Sequence, residues 1–283
     1  MIPPVVSPDS LAAFAASGRP VVVADVRWYL DGRDGRAAYE AAHIPDAIWV
    51  DLEGQLSAHD QPATAGRHPF PTAVDFAAAM SALGIGDDTV VVAYDDTGGL
   101  TAGRLVVMLR MLGREAAVLD GGLPVWVAEG RPVETGAGRV PARSAFTPTE
   151  WPADRLVDAD TAAAHAASGG ALIDARPRER FTGELVAIDP RPGHIPGARS
   201  AAWSAVLDSG GRFRSADELR AHYTQLGATD GAHADTIAYC GSGVSACMNV
   251  VAMEAAGFEP PQLFVASFSG WSADPQRAVE TGS

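Results

Sequence analysis

The chain carries the same series of landmarks twice, in the same order, and this repeat limits the possible folds more than any other feature of the sequence. Each half has a short apolar run that ends in Asp-x-Arg, then a His-Ile-Pro step, then a second apolar run that includes a Tyr near its end, and finally a Trp. The matched pairs are Val21–Arg27 with Ala171–Arg176, His43 with His194, Tyr94 with Tyr239, and Trp126 with Trp271. Four pairs in one order indicate a tandem duplication.

Each half also alternates short apolar runs with segments that are patterned as helices. Such alternation is typical of an α/β fold, in which a mostly parallel sheet is flanked by helices. The helical segments include 72–84, 102–112 and 216–226. Between the halves, a stretch rich in Gly, Pro, Arg, Ser and Thr shows little periodicity and predicts a linker. We therefore expect a first domain over 1–134, a linker over 135–152 and a second domain over 153–283.

Composition excludes several classes of function. All 21 basic residues are Arg, so lysine Schiff-base chemistry and a Walker-A loop are excluded. The formal net charge of -14 argues against nucleic acid or an anionic membrane as a partner, because both bind a cationic face. With two cysteines and scattered histidines, neither a disulfide framework nor a metal site is expected. The sequence has no pattern of a signal peptide or of a membrane span, so we expect a cytoplasmic protein.

The two halves differ most in the loop after the matched Tyr. After Tyr239 the sequence reads Cys-Gly-Ser-Gly-Val-Ser-Ala, whereas after Tyr94 it reads Asp-Asp-Thr-Gly-Gly. A Cys at the end of a buried strand lies where α/β sheets bind ligands. The small residues let several backbone N–H groups turn inward and the next helix adds its positive end, so negatively charged sulfur on Cys240 would be stabilised as a nucleophile. Asp95, at the matching position, cannot accept sulfur, so we expect only the second half to be active.

Together these residues resemble the family of tandem-domain rhodanese and mercaptopyruvate sulfurtransferases over nearly the whole chain. The loop CGSGVSA is similar to the CGSGVTA loop of mercaptopyruvate-type enzymes, with Ser245 in place of Thr. The resemblance implies two rhodanese-like domains, the first inactive, and transfer of a sulfane sulfur through a Cys240 persulfide without a metal or other cofactor. The implied partners are a small anionic sulfur donor and an acceptor, either cyanide or a thiol, including a protein thiol.

The choice of donor depends on the charges of the loop. The thiosulfate-type loop, CRKGVTA, has two cations where this chain has Gly241 and Ser242. Their removal would weaken binding of doubly charged thiosulfate more than binding of singly charged mercaptopyruvate. Mercaptopyruvate is therefore the favoured donor, with thiosulfate as the alternative.

The resemblance also implies roles for residues around the loop. Arg180 matches the family's substrate-binding Arg, and Arg191 is a candidate for a second contact with the donor carboxylate. Ser242 is a candidate for polarising the donor carbonyl or protonating the departing enolate. The family's His and Asp that orient this Ser would map onto His43 and Asp34, although His43 is more simply interpreted as a turn residue. The loop residues expected to contact the donor are Gly241, Gly243, Val244, Ser245 and Ala246. Supporting hydrogen bonds are expected from Asp174 and Arg176.

Two other interpretations compete with sulfur transfer. A phosphatase or arsenate reductase with a similar loop needs an Arg six residues after its Cys, and position 246 is Ala. A non-enzymatic partner-binding or regulatory rhodanese-like module is the main alternative. It gains support from the segment Ala266–Trp271, in which Gly270 replaces a Glu of the family, but such a module has no need of Cys240. Cys247 is expected to be a packed helix residue rather than a resolving thiol.

Overall fold

Two parallel sheets with helices packed on them organise the computed structural model, which describes residues 1–186 and 188–282. The strands are β1 (Val5–Val6), β2 (Val21–Asp25), β3 (Ile48–Trp49), β4 (Val90–Tyr94), β5 (Ala116–Leu119), β6 (Ala171–Asp174), β7 (Arg199–Ser200), β8 (Thr236–Tyr239) and β9 (Gln262–Leu263). The first sheet has the order β1-β5-β4-β2-β3 and the second the order β7-β6-β8-β9. Neighbouring strands run parallel in both sheets, which confirms the predicted α/β fold.

The helices alternate with the strands along the chain. The α-helices are α1 (Pro8–Ala16), α2 (Gly35–Ala41), α3 (Leu52–Leu56), α4 (Ala73–Ala82), α5 (Ala102–Met111), α6 (Gly122–Ala128), α7 (Ala159–Ala167), α8 (Arg178–Thr182), α9 (Ala216–Gln225), α10 (Ala246–Ala255) and α11 (Ser267–Ala273). Short 3-10 helices are η1 (Ala63–Ala65), η2 (Trp203–Val206) and η3 (His233–Asp235). The three predicted helical segments correspond to α4, α5 and α9. The Thr72 hydroxyl caps α4, and a capping box of Ser215 and Glu218 begins α9, which explains where these helices start.

The central strands are buried because their side chains are apolar on both faces. All five residues of β4 and all four of β8 are buried. Valine and isoleucine favour extended backbone, and each such side chain contributes about 1.5–3 kcal/mol when it is fully buried. The helix that follows each strand is also buried, since α5 and α10 each have eight consecutive buried residues. A buried strand and a buried helix therefore fix the two ends of the loop between them.

The chain divides into two compact units that exchange short segments. The first unit contains Met1–Ser57, Pro71–Trp151 and Asp208–Phe213, and the second contains Ala58–Phe70, Pro152–Leu207 and Arg214–Ser283. Residues 58–70, here called the 58–70 segment, thus come from the first half of the sequence but pack in the second unit, where η1 contacts α11. Residues 208–213 pack in the first unit, where the Phe213 N–H donates to Asp120 at 2.8 Å. Neither exchange is visible in the sequence repeat.

Most of the stretch predicted as a linker packs against the first unit. Phe146 is buried, with its ring centroid 5.7 Å from that of Phe76, and the Trp151 indole N–H donates to the Pro71 carbonyl at 2.8 Å. These contacts account for its ordered path despite its lack of helix or strand periodicity. None of the helices in the described chain is long and apolar enough to span a membrane.

Candidate active site

Cys240 lies directly after β8, at the carboxyl end of a buried strand, where the sequence pattern places it. Residues 240–245, here called the cysteine loop, lead from this strand into α10. The residue is 1% exposed, and the backbone N–H of Gly243 donates to its Sγ atom at 3.1 Å. A backbone N–H directed at sulfur stabilises a thiolate more than a thiol. The position and contacts of Cys240 therefore suit a sulfur atom that carries negative charge.

The matching loop of the first unit holds a carboxylate in a ring of inward-directed N–H groups. Asp95 lies directly after β4 and is fully buried. Its two carboxylate oxygens accept from the backbone N–H groups of Thr97, Gly99, Thr101 and Ala102 and from the Thr101 hydroxyl, at 2.7–3.1 Å. The loop between strand and helix thus binds an anion without any cationic side chain in this set of contacts. Cys240 occupies the equivalent position in the second unit.

The segment Ala266–Trp271 holds the backbone of the cysteine loop. The Ser267 hydroxyl accepts from the Cys240 N–H at 3.1 Å. The Phe268 N–H donates to the Cys240 carbonyl and the Ser269 N–H donates to the Gly241 carbonyl, each at 2.9 Å. Ser267 has a φ of +53°, a conformation that costs energy for a residue with a side chain and that persists where surrounding contacts fix it. Although this segment departs from the family's usual sequence, it fixes the loop that carries the cysteine.

Ser242 is hydrogen-bonded to a histidine that the sequence analysis missed. Its hydroxyl lies 2.9 Å from Nδ1 of His68, and both side chains are buried. His68 belongs to the 58–70 segment, which packs in the second unit. A serine hydroxyl paired with imidazole is suited to proton transfer or to stabilising developing negative charge. The sequence offers one weak signal for it, a His in the loop Gly-Arg-His-Pro, and the repeat does not connect that loop with the second half.

His43, which was expected either to orient Ser242 or to be a turn residue, has structural contacts within the first unit. Its Nδ1 lies 2.9 Å from the Tyr39 carbonyl oxygen, and its ring stacks on Tyr39 with centroids 4.0 Å apart. His194, its counterpart in the repeat, stacks on Phe181 at 3.8 Å and has its Nδ1 2.9 Å from the Phe181 carbonyl oxygen. The two His-Ile-Pro histidines therefore have the same packing role in their respective units.

Asp34 and Arg191, two other predicted site residues, also have structural contacts instead. The Asp34 carboxylate caps α2 by accepting from the first two backbone N–H groups after the glycine that begins this helix. The Arg191 guanidinium donates to four backbone carbonyl oxygens after or near the end of α11, at 2.6–3.3 Å. These acceptors belong to Trp271, Ser272, Asp274 and Arg277. Arg191 thus satisfies carbonyl groups that a helix end leaves unpaired, and these backbone contacts occupy the guanidinium that was expected to contact the donor carboxylate.

Arg180 lies beside the cysteine loop, together with a second arginine that was not predicted. Arg180 in α8 donates to Asp189 at 2.5 Å, and Arg67 of the 58–70 segment donates to the other oxygen of the same carboxylate at 2.6 Å. Burial alone would raise the pKa of Asp189, but the hydrogen bond from Arg67 and the charge of Arg180 outweigh it and hold that pKa below its ordinary value. A Cβ atom on Gly241 would lie 3.0 Å from an Nη atom of each arginine, so both guanidinium groups lie against the loop.

Asp174 and Arg176, for which supporting roles were expected, form a buried pair at the end of β6. The Arg176 guanidinium donates to both oxygens of Asp174 at 2.6–3.0 Å and to the Gly193 carbonyl at 2.8 Å. It also lies over the Phe268 ring, 4.0 Å from the centroid. Burial would lower the pKa of Arg176, but the charge and hydrogen bonds of Asp174 outweigh it and raise that pKa above its ordinary value. This pair connects the end of β6 with the segment that holds the cysteine loop.

The remaining loop positions lead into α10 with few side-chain functional groups. Ser245 is the N-cap residue of this helix, Ala246 is its first residue, and the Val244 carbonyl accepts from the Cys247 N–H. Cys247 is fully buried and its thiol donates to the Gly243 carbonyl at 3.3 Å, so it packs as a helix residue. Across residues 1–186 and 188–282, no group of three or more His, Cys, Asp or Glu side chains is arranged to hold a metal ion.

Comparisons with known proteins agree with one another over most of the chain. The rhodanese-like domain model matches residues 7–129 and 158–274. The "Probable 3-mercaptopyruvate sulfurtransferase" of Pseudomonas aeruginosa is 41% identical over 271 residues and covers 93% of each chain. The "Putative thiosulfate sulfurtransferase SseB" of Mycobacterium tuberculosis is 38% identical over 276 residues, which cover 96% of this chain and 95% of the relative. The crystal structure of SseA from Escherichia coli, a 3-mercaptopyruvate sulfotransferase, is 28% identical with a TM-score of 0.80 and covers 94% of this chain and 99% of its own.

Proposed function

The chain belongs to the rhodanese-like family, with two copies of the domain, and is a sulfurtransferase; we propose that Cys240 carries the transferred sulfur as a persulfide. The observation that supports this choice is the environment of Cys240, which follows a buried strand and accepts the Gly243 N–H at 3.1 Å. Cys247 is a weaker candidate because it lies within α10 rather than at the end of a strand, and its thiol donates to a backbone carbonyl.

In the first half-reaction, the Cys240 thiolate attacks the sulfur atom of the donor and forms an S–S bond, while the bond from that sulfur to the rest of the donor breaks. With 3-mercaptopyruvate, the electron pair of the broken C–S bond leaves on carbon as the enolate of pyruvate, which takes up a proton to give pyruvate. In the second half-reaction, a thiolate or cyanide attacks the outer sulfur and Cys240 leaves as a thiolate. The two steps balance without an external oxidant or reductant, so neither step needs a redox cofactor.

We propose 3-mercaptopyruvate as the favoured donor. Its carbonyl oxygen gains negative charge as the C–S bond breaks, whereas thiosulfate has no carbonyl. Ser242 lies two residues after Cys240 in the sequence, and its hydroxyl is 2.9 Å from Nδ1 of His68. This hydroxyl can donate a hydrogen bond or a proton to the carbonyl oxygen of the donor. Of the two relatives, one is named as a mercaptopyruvate enzyme and the other as a thiosulfate enzyme, so their names do not favour either donor. The preference for 3-mercaptopyruvate therefore depends on the pair of Ser242 and His68.

We propose that the first unit does not take up sulfur, because a carboxylate stands at the position of the nucleophile and its oxygens are fully occupied by hydrogen bonds. The proposed acceptor is cyanide or a thiol, on a small molecule or on a protein. Both cysteines are free thiols, as a persulfide cycle needs, and this suits a reducing compartment such as the cytoplasm.

Intact-mass measurement tests this proposal. Incubation with 3-mercaptopyruvate is expected to add about 32 Da, which cyanide then removes, because a persulfide is a reversible cap on cysteine. The variant Cys240→Ser should neither gain this mass nor transfer sulfur, whereas Cys247→Ser should retain most of the activity. A partner-binding module would gain no mass at all, and equal losses in the two variants would reject Cys240 as the sulfur carrier.

A further inference from the structure

The proposed donors are anions, and the positive charge at the cysteine loop comes from two arginines in distant parts of the sequence. Arg67 belongs to the 58–70 segment and Arg180 to α8, yet both lie against Gly241. Asp189 bridges them, with one carboxylate oxygen 2.6 Å from Arg67 Nη1 and the other 2.5 Å from Arg180 Nη2. A carboxylate between two guanidinium groups is a strong and directional arrangement.

We propose that Arg67, Arg180 and Asp189, here called the donor clamp, bind the anionic group of the sulfur donor, and that Asp189 sets the preference for a single negative charge. This inference rests on the proposed function, since it concerns the donor of the same reaction. It assigns donor contact to Arg67 in place of Arg191, whose guanidinium is bonded to backbone carbonyls.

Both arginines keep donor groups that Asp189 does not use. Arg67 contacts Asp189 through Nη1, while its Nη2 atom lies 3.0 Å from the position of a Cβ on Gly241. Arg180 contacts Asp189 through Nη2, while its Nη1 atom lies 3.5 Å from that same position. The Arg67 Nε atom is buried and has no hydrogen-bond partner among the described residues. Asp189 therefore orients the two guanidinium groups and leaves N–H groups at the loop for a ligand.

The charges of the clamp leave one positive charge uncompensated. Arg67 and Arg180 carry two positive charges, and Asp189 carries one negative charge at neutral pH because both arginines hold its pKa below the ordinary value, against the effect of burial. The neighbouring Arg176 pairs with Asp174 and its Nη1 atom lies 3.6 Å from Asp189. Together these three arginines and two aspartates still leave one positive charge uncompensated. A carboxylate with one negative charge would balance the site. Thiosulfate with two would leave an excess negative charge where the Asp189 side chain is 8% exposed and that of Arg180 is 12% exposed, so water screens it poorly.

The glycine at position 241 has a clear role in this arrangement. In the thiosulfate-type loop, an Arg stands at this position. Here any side chain would begin 3.0 Å from the Nη2 atoms of both Arg67 and Arg180, so Gly241 leaves the space that the two guanidinium groups occupy. Positive charge is therefore present beside the cysteine loop, because Arg67 supplies it from the 58–70 segment. The negative charge of Asp189 reduces the net positive charge there.

Three sulfur donors of different charge test the clamp, with cyanide as the common acceptor. They are 3-mercaptopyruvate with one negative charge, thiosulfate with two, and mercaptoacetone, in which a methyl group replaces the carboxylate of mercaptopyruvate. Asp189→Asn is expected to raise kcat/KM for thiosulfate relative to mercaptopyruvate on the order of tenfold, because one more positive charge remains. Arg67→Gln should raise KM for both anionic donors on the order of tenfold and leave mercaptoacetone nearly unchanged.

Matched variants separate charge at the site from charge elsewhere and from misfolding. The Asp230 carboxylate also pairs with an arginine, Arg220, but its side chain is 68% exposed. Asp230→Asn should therefore leave the ratio of kcat/KM for the two anionic donors unchanged. Asp189→Glu keeps the charge, so its ratio of kcat/KM for the two anionic donors should stay closer to that of the wild type than the ratio in Asp189→Asn does. The double variant Arg67→Gln with Asp189→Asn restores one uncompensated positive charge, so its donor ratio should return toward that of the wild type.

A binding measurement decides the inference even if sulfur transfer fails. Calorimetry measures the affinity for pyruvate, which has one negative charge, and for sulfate, which has two. In Asp189→Asn the affinity for sulfate is expected to rise relative to that for pyruvate. In Arg67→Gln the affinity for pyruvate is expected to fall. An absence of the persulfide mass with every donor would reject the proposed function while leaving this measurement informative. The donor clamp would be overturned if Asp189→Asn changed neither the ratio of kcat/KM for the two anionic donors nor the ratio of affinities for pyruvate and sulfate. It would also be overturned if Arg67→Gln bound pyruvate as tightly as the wild type does.

Discussion

Three polar side chains at the cysteine loop have partners that fix their orientation. The Ser242 hydroxyl is held by His68, the Ser267 hydroxyl by the Cys240 N–H, and the Arg180 guanidinium by Asp189. Groups that are held in place before the donor binds lose little freedom in the transition state, and this is a major source of rate enhancement. At the scale of single residues, activity should therefore depend on these partners as well as on the groups that contact the donor.

The pair of Ser242 and His68 gives the first prediction. Ser242→Ala and His68→Gln should each lower kcat for 3-mercaptopyruvate by about 10²–10³, the range seen when a donor to a developing oxyanion is removed. For thiosulfate, which forms no enolate, the loss should be less than tenfold. His59 is an exposed histidine of the 58–70 segment, so His59→Gln is the matched control. It should leave kcat for both donors unchanged. Equal losses for both donors would show that the pair acts by supporting the loop.

The lowered pKa of Asp189 gives a prediction on stability. Burial would raise this pKa, but the hydrogen bond from Arg67 and the charge of Arg180 lower it, so the charged form favours the folded state. Stability from such a group is present above its unfolded pKa, about 3.9, and is lost as the pH falls through the folded value. The free energy of unfolding in urea should therefore be lower for Asp189→Asn than for the wild type at pH 7. This difference should shrink below about pH 4; a constant difference would contradict the prediction.

At the scale of elements, the 58–70 segment approaches α11 so closely that two glycines are required. Gly66 has a φ of +85°, and a Cβ there would lie 2.4 Å from the Ala266 carbonyl oxygen. A Cβ on Gly270 would lie 2.5 Å from the Thr64 carbonyl oxygen. The Arg67 N–H donates to the Ser269 hydroxyl at 3.1 Å, which continues the same contact toward the site. Gly270, which differs from the family's usual Glu, thus allows the approach that positions Arg67 and His68.

Gly270→Ala tests this contact. The added methyl group would displace the backbone of the 58–70 segment, and a displacement of about 1 Å at a site can lower a rate by 10²-fold. We expect kcat/KM for 3-mercaptopyruvate to fall by about tenfold or more, while Cys240 remains able to form a persulfide slowly. Gly210→Ala is the control, because the nearest described contacts of its Cβ are atoms of the flexible Asp208 side chain. Full activity in Gly270→Ala would show that the segment tolerates the shift.

At the scale of the whole molecule, the duplication determines what could be predicted from the sequence. Strand periodicity predicts both sheets, and the end of a buried strand predicts the position of Cys240 and its loop. His68 and Arg67 could not be predicted, because the 58–70 segment contains no strand and packs in the second unit through close backbone contacts rather than through a periodic apolar face. The family resemblance pointed to His43 as the partner of Ser242, whereas the repeat pointed to a structural role for His43, and His43 has the packing contacts that it shares with His194.

The duplication finally predicts that an anion-binding loop is insufficient for sulfur transfer. In the first unit, Asp96 follows Asp95, where Gly241 follows Cys240, and its carboxylate accepts from the Tyr29 hydroxyl at 2.5 Å. Burial and the hydrogen bond to Asp96 raise the pKa of Tyr29 to about 12, so this hydroxyl stays neutral at neutral pH and does not bring a further negative charge to Asp96. An anionic donor would meet a carboxylate at the place where the second unit has two guanidinium groups.

The variant Asp95→Cys combined with Cys240→Ser tests this prediction. It is expected to gain no mass after incubation with 3-mercaptopyruvate and to transfer no sulfur, because its new thiol lacks both the donor clamp and the pair of Ser242 and His68. The single variant Asp95→Cys is the control for folding, and it should take up one sulfur through Cys240 rather than two. A cyanide-removable gain of about 32 Da in the double variant would show that inward-directed N–H groups alone suffice to make a sulfur carrier. The arginines and the Ser–His pair would then determine the choice of donor, and Cys240 would owe its reactivity to the loop alone.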